Sequence, residues 1–205
     1  MDFSSPFTLI FIGLTALVSW QAFERPGLID RLLLWPPAVQ RGQYHRLFTY
    51  GLVHADFGHL LFNMITLFFF GRMIEGFLSA QFGIWAFPFF YLSALLVSVL
   101  PGYFRHLRDP NYRTLGASGA VSSVLFAFIL LDPWELIFVF FIPVPAIIYG
   151  VLFVGYSVYM DRRGGDNVNH SAHLWGAVYG VVFLLIAIPR ILPYFLEQLS
   201  SPMGG

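Results

Sequence analysis

The sequence predicts an all-α polytopic membrane protein, a compact bundle of six transmembrane helices with a folded, partly membrane-embedded first loop. Only 11 % of the 205 residues are charged, whereas soluble domains have about 25 % because their surface contacts water. Hydrophobic residues make up 58 % of the chain, and the mean hydropathy is +0.72. The charges also leave six long uncharged stretches between them. Most of the surface is therefore expected to face lipid.

Each uncharged stretch is interpreted as one membrane span. A spanning helix needs about 20 mostly apolar residues, with a range of about 17–25. Five stretches are long enough, and the second continues past Arg72 and Glu75, because an arginine near a helix end can reach the membrane surface. The first span is expected to remain as an anchor, since the basic start of a cleaved signal peptide is missing. The six stretches are 3–23, 57–71, 76–104, 114–131, 136–160 and 167–189.

The segment 24–56 is the longest connection and combines four arginines with apolar residues and with Trp35-Pro36-Pro37. It is too charged for a span and too apolar for an unstructured linker, so we expect a folded loop that is partly embedded in the membrane. The later loops, 101–113 and 161–169, contain turn-forming glycine or proline. Because internal repeats and low-complexity tracts are missing, residues 1–205 are expected to form a single domain.

The composition excludes several classes of function. The net charge is zero and there is no basic cluster, so a nucleic-acid partner is not expected. The absence of cysteine removes disulfide frameworks, cysteine nucleophiles and cysteine zinc sites. The His-Glu-x-x-His motif of a membrane metalloprotease is also missing, so neither a metal nor another cofactor is expected.

Polar residues inside the spans are the candidates for function, because such side chains are costly in lipid. Successive spans reverse direction, so spans two, four and six begin on the same side of the membrane. His59 and Asn63 lie near the beginning of span two, Ser118 near that of span four and His173 near that of span six. The topology therefore predicts that these side chains share one depth and one face.

Ser118 is the candidate nucleophile. Most serines in membrane helices bond back to the carbonyl one turn earlier, as we expect for Ser122 and Ser123. Ser118 differs because Gly116 and Gly119 lie beside it, and small residues let a second helix approach while leaving the hydroxyl uncovered. These glycines also suit a tight entry into a helix, whose first N–H groups can bind an oxyanion.

His173 is the candidate general base. Gly176 and Gly180 follow it on one helix face, and small residues four apart let two membrane helices pack closely. His59 and Asn63 also share a face and could donate hydrogen bonds to an oxyanion. Purely structural roles stay open for both groups of residues. Gly176 and Gly180 could only pack helices, with His173 a structural hydrogen-bonded residue, and His59 and Asn63 could form hydrogen bonds between helices.

A catalytic carboxylate is not expected. Asp166 lies in a loop seven residues before His173, and Asp56 precedes His59. The chemistry is therefore expected to use a Ser–His dyad, with the imidazole oriented by packing in a site of low dielectric constant.

In combination, these motifs resemble the rhomboid family of intramembrane serine proteases. Gly-x-Ser-Gly alone is a weak signal, but the order and spacing of the three motifs together are specific. The resemblance extends over most of the chain, from span one to span six. The motifs are His54-Ala55-Asp56-Phe57-Gly58-His59-Leu60-Leu61-Phe62-Asn63, Gly116-Ala117-Ser118-Gly119 and His173-Leu174-Trp175-Gly176-Ala177-Val178-Tyr179-Gly180.

The resemblance implies a serine endopeptidase that cleaves transmembrane segments of single-pass membrane proteins within the lipid bilayer, through an acyl-enzyme. Ser118 would be the nucleophile and His173 the base, while His59, Asn63 and the Ser118 backbone N–H would form the oxyanion hole. The resemblance also implies a water-filled cavity open to the exoplasmic side, with span five and the 161–169 loop as substrate gate and cap. A bacterial inner membrane is expected, because the six spans carry no extra domain.

Two positions depart from the family pattern. The usual Trp-Arg of the first loop is His45-Arg46 here, and the aromatic residue expected one turn after the nucleophile is Ser122. Another group must therefore hold the ring of His173.

The orientation in the membrane is a point of conflict. Nine arginines lie on the side where the even spans begin, and the positive-inside rule would make that side cytoplasmic. The resemblance instead implies that it is exoplasmic. The family orientation is preferred, because the arginines of a folded first loop can be structural.

Two other functions are considered. A non-catalytic rhomboid-like protein would bind membrane clients, but such relatives typically lack the serine or the histidine. A transporter could use His54, His59 and His173 as a polar relay, but the repeated halves typical of transporters are missing. Covalent labelling of Ser118 would distinguish the enzyme from both.

Overall fold

A computed structural model describes residues 5–139, 141–165 and 168–200, and within these ranges the chain is mostly helical, as predicted. A 3-10 turn covers Tyr50–Leu52, and a π-helical turn at Leu67–Gly71 joins α5 to α6. Strands β1 (Leu136–Val139) and β2 (Ile142–Pro145) form an antiparallel hairpin. The helices are α1 (Pro6–Glu24), α2 (Pro26–Leu32), α3 (Pro36–Gln40), α4 (Arg46–Thr49), α5 (Phe57–Thr66), α6 (Arg72–Phe82), α7 (Ala86–Arg105), α8 (Ser118–Leu131), α9 (Ala146–Arg163), α10 (His170–Ala187) and α11 (Ile191–Ser200).

Four of the described helices are long and apolar enough to cross a bilayer: α1, the continuous helix Phe57–Phe82, α7 and α10. The helix α8 is apolar but has only 14 residues, about 21 Å at 1.5 Å per residue, against about 30 Å for a hydrocarbon core. The helix α9 ends in the charged run 161–163. The described chain is thus built for a membrane, and the count of six spans stays a prediction.

The predicted fifth span, 136–160, is wrong over its first ten residues. Within this stretch Leu136–Val139 and Ile142–Pro145 pair as the β1–β2 hairpin, and α9 begins only at Ala146. Pro143 and Pro145 explain the correction, because proline lacks the N–H that a helix interior requires. The chain is therefore not purely helical, and the short helix α11 after the sixth span was also not predicted.

The helix α8 lies at the centre of the molecule. Eleven of its fourteen residues are buried, so protein rather than lipid surrounds most of it. On one side the Phe128 ring packs against Phe70 with centroids 4.8 Å apart. A central, buried α8 places its first residue, Ser118, inside the molecule instead of at the lipid boundary.

A buried carboxylate holds α1 against α6. Glu75 is 2 % exposed and accepts hydrogen bonds from the backbone N–H groups of Phe7 at 3.0 Å and Thr8 at 2.7 Å. These donors belong to the first turn of α1, where N–H groups have no partner within the helix and the helix dipole favours a negative charge. The acid inside a span is thereby explained as a cap supplied by a neighbouring helix.

The first loop is folded, as predicted. The Arg46 side chain is buried, and its Nη1 donates to the carbonyl oxygens of Asp30 at 2.9 Å and Leu33 at 2.7 Å. The backbones of Leu34 and Thr114 exchange two hydrogen bonds of 2.9 and 3.1 Å. The first loop therefore packs against the segment that leads into α8, on the side of the molecule where α8 begins.

Candidate active site

Ser118 and His173 are in direct contact. The Ser118 Oγ and His173 Nε2 atoms lie 2.7 Å apart, a hydrogen bond between residues separated by 55 positions. Ser118 is the first residue of α8, and His173 lies in the first turn of α10. A serine and a histidine at this distance have the geometry of a nucleophile and its base.

The helices α8 and α10 lie so close together because their backbones are in direct contact. A Cβ atom on Gly176 would collide with the Gly119 carbonyl oxygen, and one on Gly180 would collide with the carbonyl oxygen of Ser123. The Ser123 Oγ also donates to the Gly176 carbonyl oxygen at 2.8 Å. Glycine is therefore required at both positions of α10, and the separation of the two helices is set by main-chain atoms.

The ring of His59 lies against Gly116. Gly116 has a φ of +106°, and a Cβ there would stand 2.6 Å from the His59 Cε1, so both its backbone and its surroundings favour glycine. Asn63 is buried one turn further along α5, and its Nδ2 donates to the His59 carbonyl oxygen at 3.0 Å. That amide nitrogen carries a second hydrogen, which the bond to His59 does not use.

His54 supports the segment before Ser118, a role that the sequence did not indicate. Its Nε2 accepts a hydrogen bond from the Ala117 backbone N–H at 3.3 Å, and its Nδ1 lies 2.9 Å from the Ser19 Oγ. The Ser19 hydroxyl donates to the Leu52 carbonyl oxygen at 2.8 Å, so the Nδ1–H must donate to Ser19. His54 is therefore a neutral imidazole, and burial, with His59 nearby, lowers its pKa to about 3.

Asn169 ties α10 to the segment before α8. Its Oδ1 accepts from the Ala172 N–H at 3.0 Å, which caps the helix that carries His173. Its Nδ2 donates to the Tyr112 hydroxyl at 3.0 Å and to the Thr114 Oγ1 at 2.9 Å. An asparagine immediately before an apolar helical run is a recognised N-cap signal, so this residue could have been found from the sequence.

Two rings pack against His173. The Phe153 ring of α9 lies 5.7 Å from it, tilted by 32°, and the His170 ring lies 5.7 Å away at 80°. Ser122, at the position where the resemblance implied an aromatic residue, donates to the Ser118 carbonyl oxygen at 2.7 Å. Phe153 thus supplies an aromatic neighbour from a different helix, and nothing in the sequence pointed to it among the many aromatic residues of that stretch.

The two acidic residues considered from the sequence have separate outcomes. The Asp56 Oδ1 accepts from the backbone N–H of His59 at 2.8 Å and so caps α5. Asp166 lies outside the described residues. No group of three or more possible metal ligands occurs within the part of the chain that the structure describes.

A cavity of about 960 Å³ opens beside Ser118 and His59. Its polar lining residues include Tyr112, Asn169 and, at the end of α9, Asp161, so water can enter it. The burial of Tyr112 raises the pKa of its phenol, and it stacks on His106 with centroids 4.1 Å apart. Ser118 therefore lies at the wall of a cavity that has polar lining residues.

These features define a class: a helical membrane protein with a half-buried serine–histidine pair beside a cavity with polar lining residues. A family model described as the Rhomboid domain matches residues 41–190. The chain belongs to the rhomboid family, as its motifs predicted, and it is an integral membrane protein.

Several curated relatives carry the family name. "RHOMBOID-like protein 12, mitochondrial" of Arabidopsis thaliana is 33 % identical over 187 residues, covering 85 % of this chain and 55 % of the relative. "Rhomboid-related protein 1" of Caenorhabditis elegans is 28 % identical over 165 residues, covering 78 % and 44 %. "Putative rhomboid protease YdcA" of Bacillus subtilis (strain 168) is 26 % identical over 196 residues, covering 88 % of each. The chain spans about half the length of the first two relatives.

Proposed function

We propose that this protein is an intramembrane serine endopeptidase that cleaves transmembrane segments of single-pass membrane proteins. The observation that carries the proposal is the 2.7 Å hydrogen bond between the Ser118 Oγ and the His173 Nε2. Membership in the rhomboid family supports it. A non-catalytic client-binding protein has no need of this pair, and its expected behaviour is the negative outcome of the first experiment below.

In the proposed reaction, His173 Nε2 takes the proton of the Ser118 hydroxyl while Oγ attacks the carbonyl carbon of the scissile peptide bond. The C–N bond then breaks, His173 returns the proton to the leaving amine, and an acyl-enzyme remains on Ser118. Water activated by His173 hydrolyses this ester, which releases the acid and restores the serine. The polar cavity beside Ser118 is the route by which that water enters the site.

The negative charge of the tetrahedral intermediate is assigned to three groups. The backbone N–H groups at the start of α8 have no partner in the first helical turn and can accept an anion. The His59 ring lies against Gly116 within the same segment, and Asn63 keeps one amide hydrogen for donation. The hydrogen bond from Ala117 to His54 supports this arrangement, because it fixes the backbone immediately before Ser118.

The first experiment is covalent labelling of the purified protein with a fluorophosphonate probe. Wild type is expected to be labelled and to cleave a model transmembrane substrate. Ser118→Ala and His173→Ala should cleave that substrate more slowly by a factor on the order of 10⁴ or more. Ser122→Ala is the matched control, since its hydroxyl only bonds back within α8. A wild type that is neither labelled nor able to cleave would overturn the proposal in favour of client binding. Cleavage retained in Ser118→Ala would overturn the assignment of Ser118 as nucleophile.

The proposed orientation places the active-site side on the exoplasmic face, with α9 and the 161–169 loop as gate and cap. Asp161 and Gly164 line the cavity, which supports a covering role for this region. Arg46 is buried on main-chain carbonyls, and Arg113 pairs with Asp30 at 3.1 Å, so these two arginines have structural partners. These two arginines are therefore weaker evidence that this side of the molecule is cytoplasmic under the positive-inside rule. A bacterial inner membrane stays a prediction from the sequence.

Cysteine labelling tests the orientation, because the chain contains no native cysteine. Arg162→Cys lies at the cavity end of α9, and Gln81→Cys lies at the opposite end of the molecule. In intact cells, an impermeant maleimide applied from outside should label Arg162→Cys and leave Gln81→Cys unmodified. The reverse pattern would show that the arginine distribution, and not the family resemblance, decides the orientation.

A further inference from the structure

The β1–β2 hairpin lies beyond the end of α8 that is remote from Ser118. Its ten residues, Leu-Ile-Phe-Val-Phe-Phe-Ile-Pro-Val-Pro, include no polar side chain. A hairpin with one face on a protein core and the other in water alternates apolar with polar residues. This hairpin lacks the alternation, so water is not the medium for which its outer face is built.

The two faces of the hairpin have different surroundings. On the inner face, Ile137 is 7 % exposed, and its cross-strand partner is Val144. On the outer face, Leu136 is 52 % and Phe138 is 73 % exposed, while Phe141 in the turn is 93 % exposed. The protein thus covers the inner face at Ile137, although Ile142 nearer the turn is 67 % exposed, and it leaves the aromatic and aliphatic outer face open.

The free edge of β2 is free of hydrogen-bond donors. In an antiparallel pair, alternate residues direct their N–H groups toward the partner strand. Pro143 and Pro145 have no N–H, so the donors of β2 in the ladder are Ile142 and Val144. The remaining positions, which face outward, are the prolines. Placing a strand near lipid is costly when its backbone N–H groups have no hydrogen-bond partner, and this edge has no such N–H groups. The prolines also keep other strands from pairing with it.

We propose that this hairpin is an interfacial membrane anchor, whose outer face enters the leaflet on the side of the molecule opposite the cavity. The apolar surface continues from the hairpin directly into α9, where Val151 is 65 % and Leu152 is 63 % exposed. Aromatic side chains are favoured at the membrane boundary. An interfacial element inserts its apolar side chains about 5–10 Å deep while its backbone still contacts water.

The anchor accounts for two features that the serine–histidine pair leaves unexplained. The helix α8 is too short to cross the hydrocarbon layer alone, and the fifth uncharged stretch does not begin as a helix. A hairpin held in the boundary region keeps the chain at the membrane surface between α8 and α9. The inference rests on membership in a membrane-protein family and on the apolar surface, and not on the proposed protease activity.

Spin labelling tests the anchor, because a chain without cysteine accepts single labels. Phe138→Cys and Phe141→Cys are each labelled with a nitroxide in phosphatidylcholine vesicles, and collision with oxygen is compared with collision with a water-soluble nickel chelate. Leu9→Cys, 51 % exposed on α1, is the lipid control, and Arg108→Cys in an exposed loop is the water control. The oxygen-to-nickel ratio at both hairpin sites is expected to exceed that of Arg108→Cys several-fold, because oxygen concentrates in lipid.

Two results would overturn the anchor. A ratio equal to that of Arg108→Cys would place the hairpin in water. Low collision with both reagents would show that protein covers it, as in contact with a second copy of the chain. A second readout uses a fluorophore attached to the same cysteines, in vesicles whose lipid tails carry a nitroxide that quenches fluorescence. A lack of quenching would contradict insertion. Fluorophosphonate labelling of the same variants reports separately on the proposed activity.

Discussion

The two helices that flank α8 beside the candidate active site contact it in different ways. On the α10 side, Gly176 and Gly180 lie directly on main-chain carbonyl oxygens of α8. On the α9 side, the contacts run through side chains: a Cβ on Gly150 would meet Ile129, and Phe153 packs on Phe126 with centroids 5.7 Å apart. Three residues of α9 are buried, against six of α10.

This difference separates a fixed interface from an adjustable one. Main-chain atoms cannot change rotamer, so the distance between α8 and α10, and with it the contact of His173 with Ser118, has little freedom. Side chains such as those between α8 and α9 can repack at a lower energetic penalty. We therefore expect changes at the α10 contact to affect fold and activity together, and changes at the α9 contact to affect activity mildly.

The largest effect is expected from Gly176→Ala. Overpacking typically costs roughly 1–3 kcal/mol and occasionally more. Because the added Cβ would collide with main-chain atoms of Gly119, which cannot repack, we expect a loss at the upper end of that range or above it. Both the thermal midpoint in detergent and the rate of probe labelling should fall. Gly155→Ala is the matched control on α9, where nothing lies within 4 Å of an added Cβ. That change should be neutral or stabilising by up to about 1 kcal/mol, and similar behaviour of the two variants would contradict the comparison.

A smaller effect is expected from Asn169→Ala, which removes the cap of α10 and two hydrogen bonds to loop residues. A lost cap costs about 1 kcal/mol and each hydrogen bond about 1 kcal/mol, so roughly 2–3 kcal/mol of stability should be lost. Because the start of α10 positions His173, kcat should fall more than KM changes, at temperatures well below unfolding.

Asn169→Asp provides the control for that prediction. A carboxylate still accepts from Ala172, and the hydroxyls of Tyr112 and Thr114 can donate to it, so much of the stability and of kcat should return. Loss of stability without any change in kcat in Asn169→Ala would restrict the residue to a purely structural role.

Acid should destabilise the protein through His54. Its pKa is lowered from about 6.5 to about 3 in the folded state, so protons bind preferentially to the unfolded chain. The stability from this site is complete above about pH 6.5 and is lost as the pH falls toward 3, by up to ~1.4 kcal/mol per pH unit. Unfolding measured between pH 7 and pH 4 should follow this slope, and His54→Gln should reduce it. An unchanged slope in the variant would assign the acid sensitivity to other groups.

The smallest effect is expected from Phe153→Leu at the α9 contact. Removing the ring beside His173 takes away an interaction worth about 0.5–1.5 kcal/mol, which corresponds to at most about a tenfold loss of rate. Phe153→Tyr keeps the ring and should retain most of the activity. A loss as large as that of Gly176→Ala would mean that α9 positions the base as strongly as α10 does.

Much of the site was predictable because its residues have local signatures. Flanking glycines distinguished Ser118, and the glycines that follow His173 distinguished that histidine. The alternating direction of successive spans predicted that the two residues lie close together. The hydrogen bond of 2.7 Å between them agrees with that reasoning. His54 belonged to a motif, but its partner Ser19 lies 35 positions earlier in an ordinary apolar helix, where no pattern marks it.

By itself, the sequence determined the membrane class, the family and the side of the molecule on which the polar residues gather. These depend on the spacing of charges and on short motifs, which are local properties of the chain. The folded chain was needed to show that Phe153 packs on His173, that Asn169 bridges α10 to the loop before α8, and that Leu136–Val139 and Ile142–Pro145 form a hairpin. The first two are contacts between distant segments. The hairpin was hidden because its side chains are apolar on both faces, so its sequence shows no alternation and looks like part of a spanning helix.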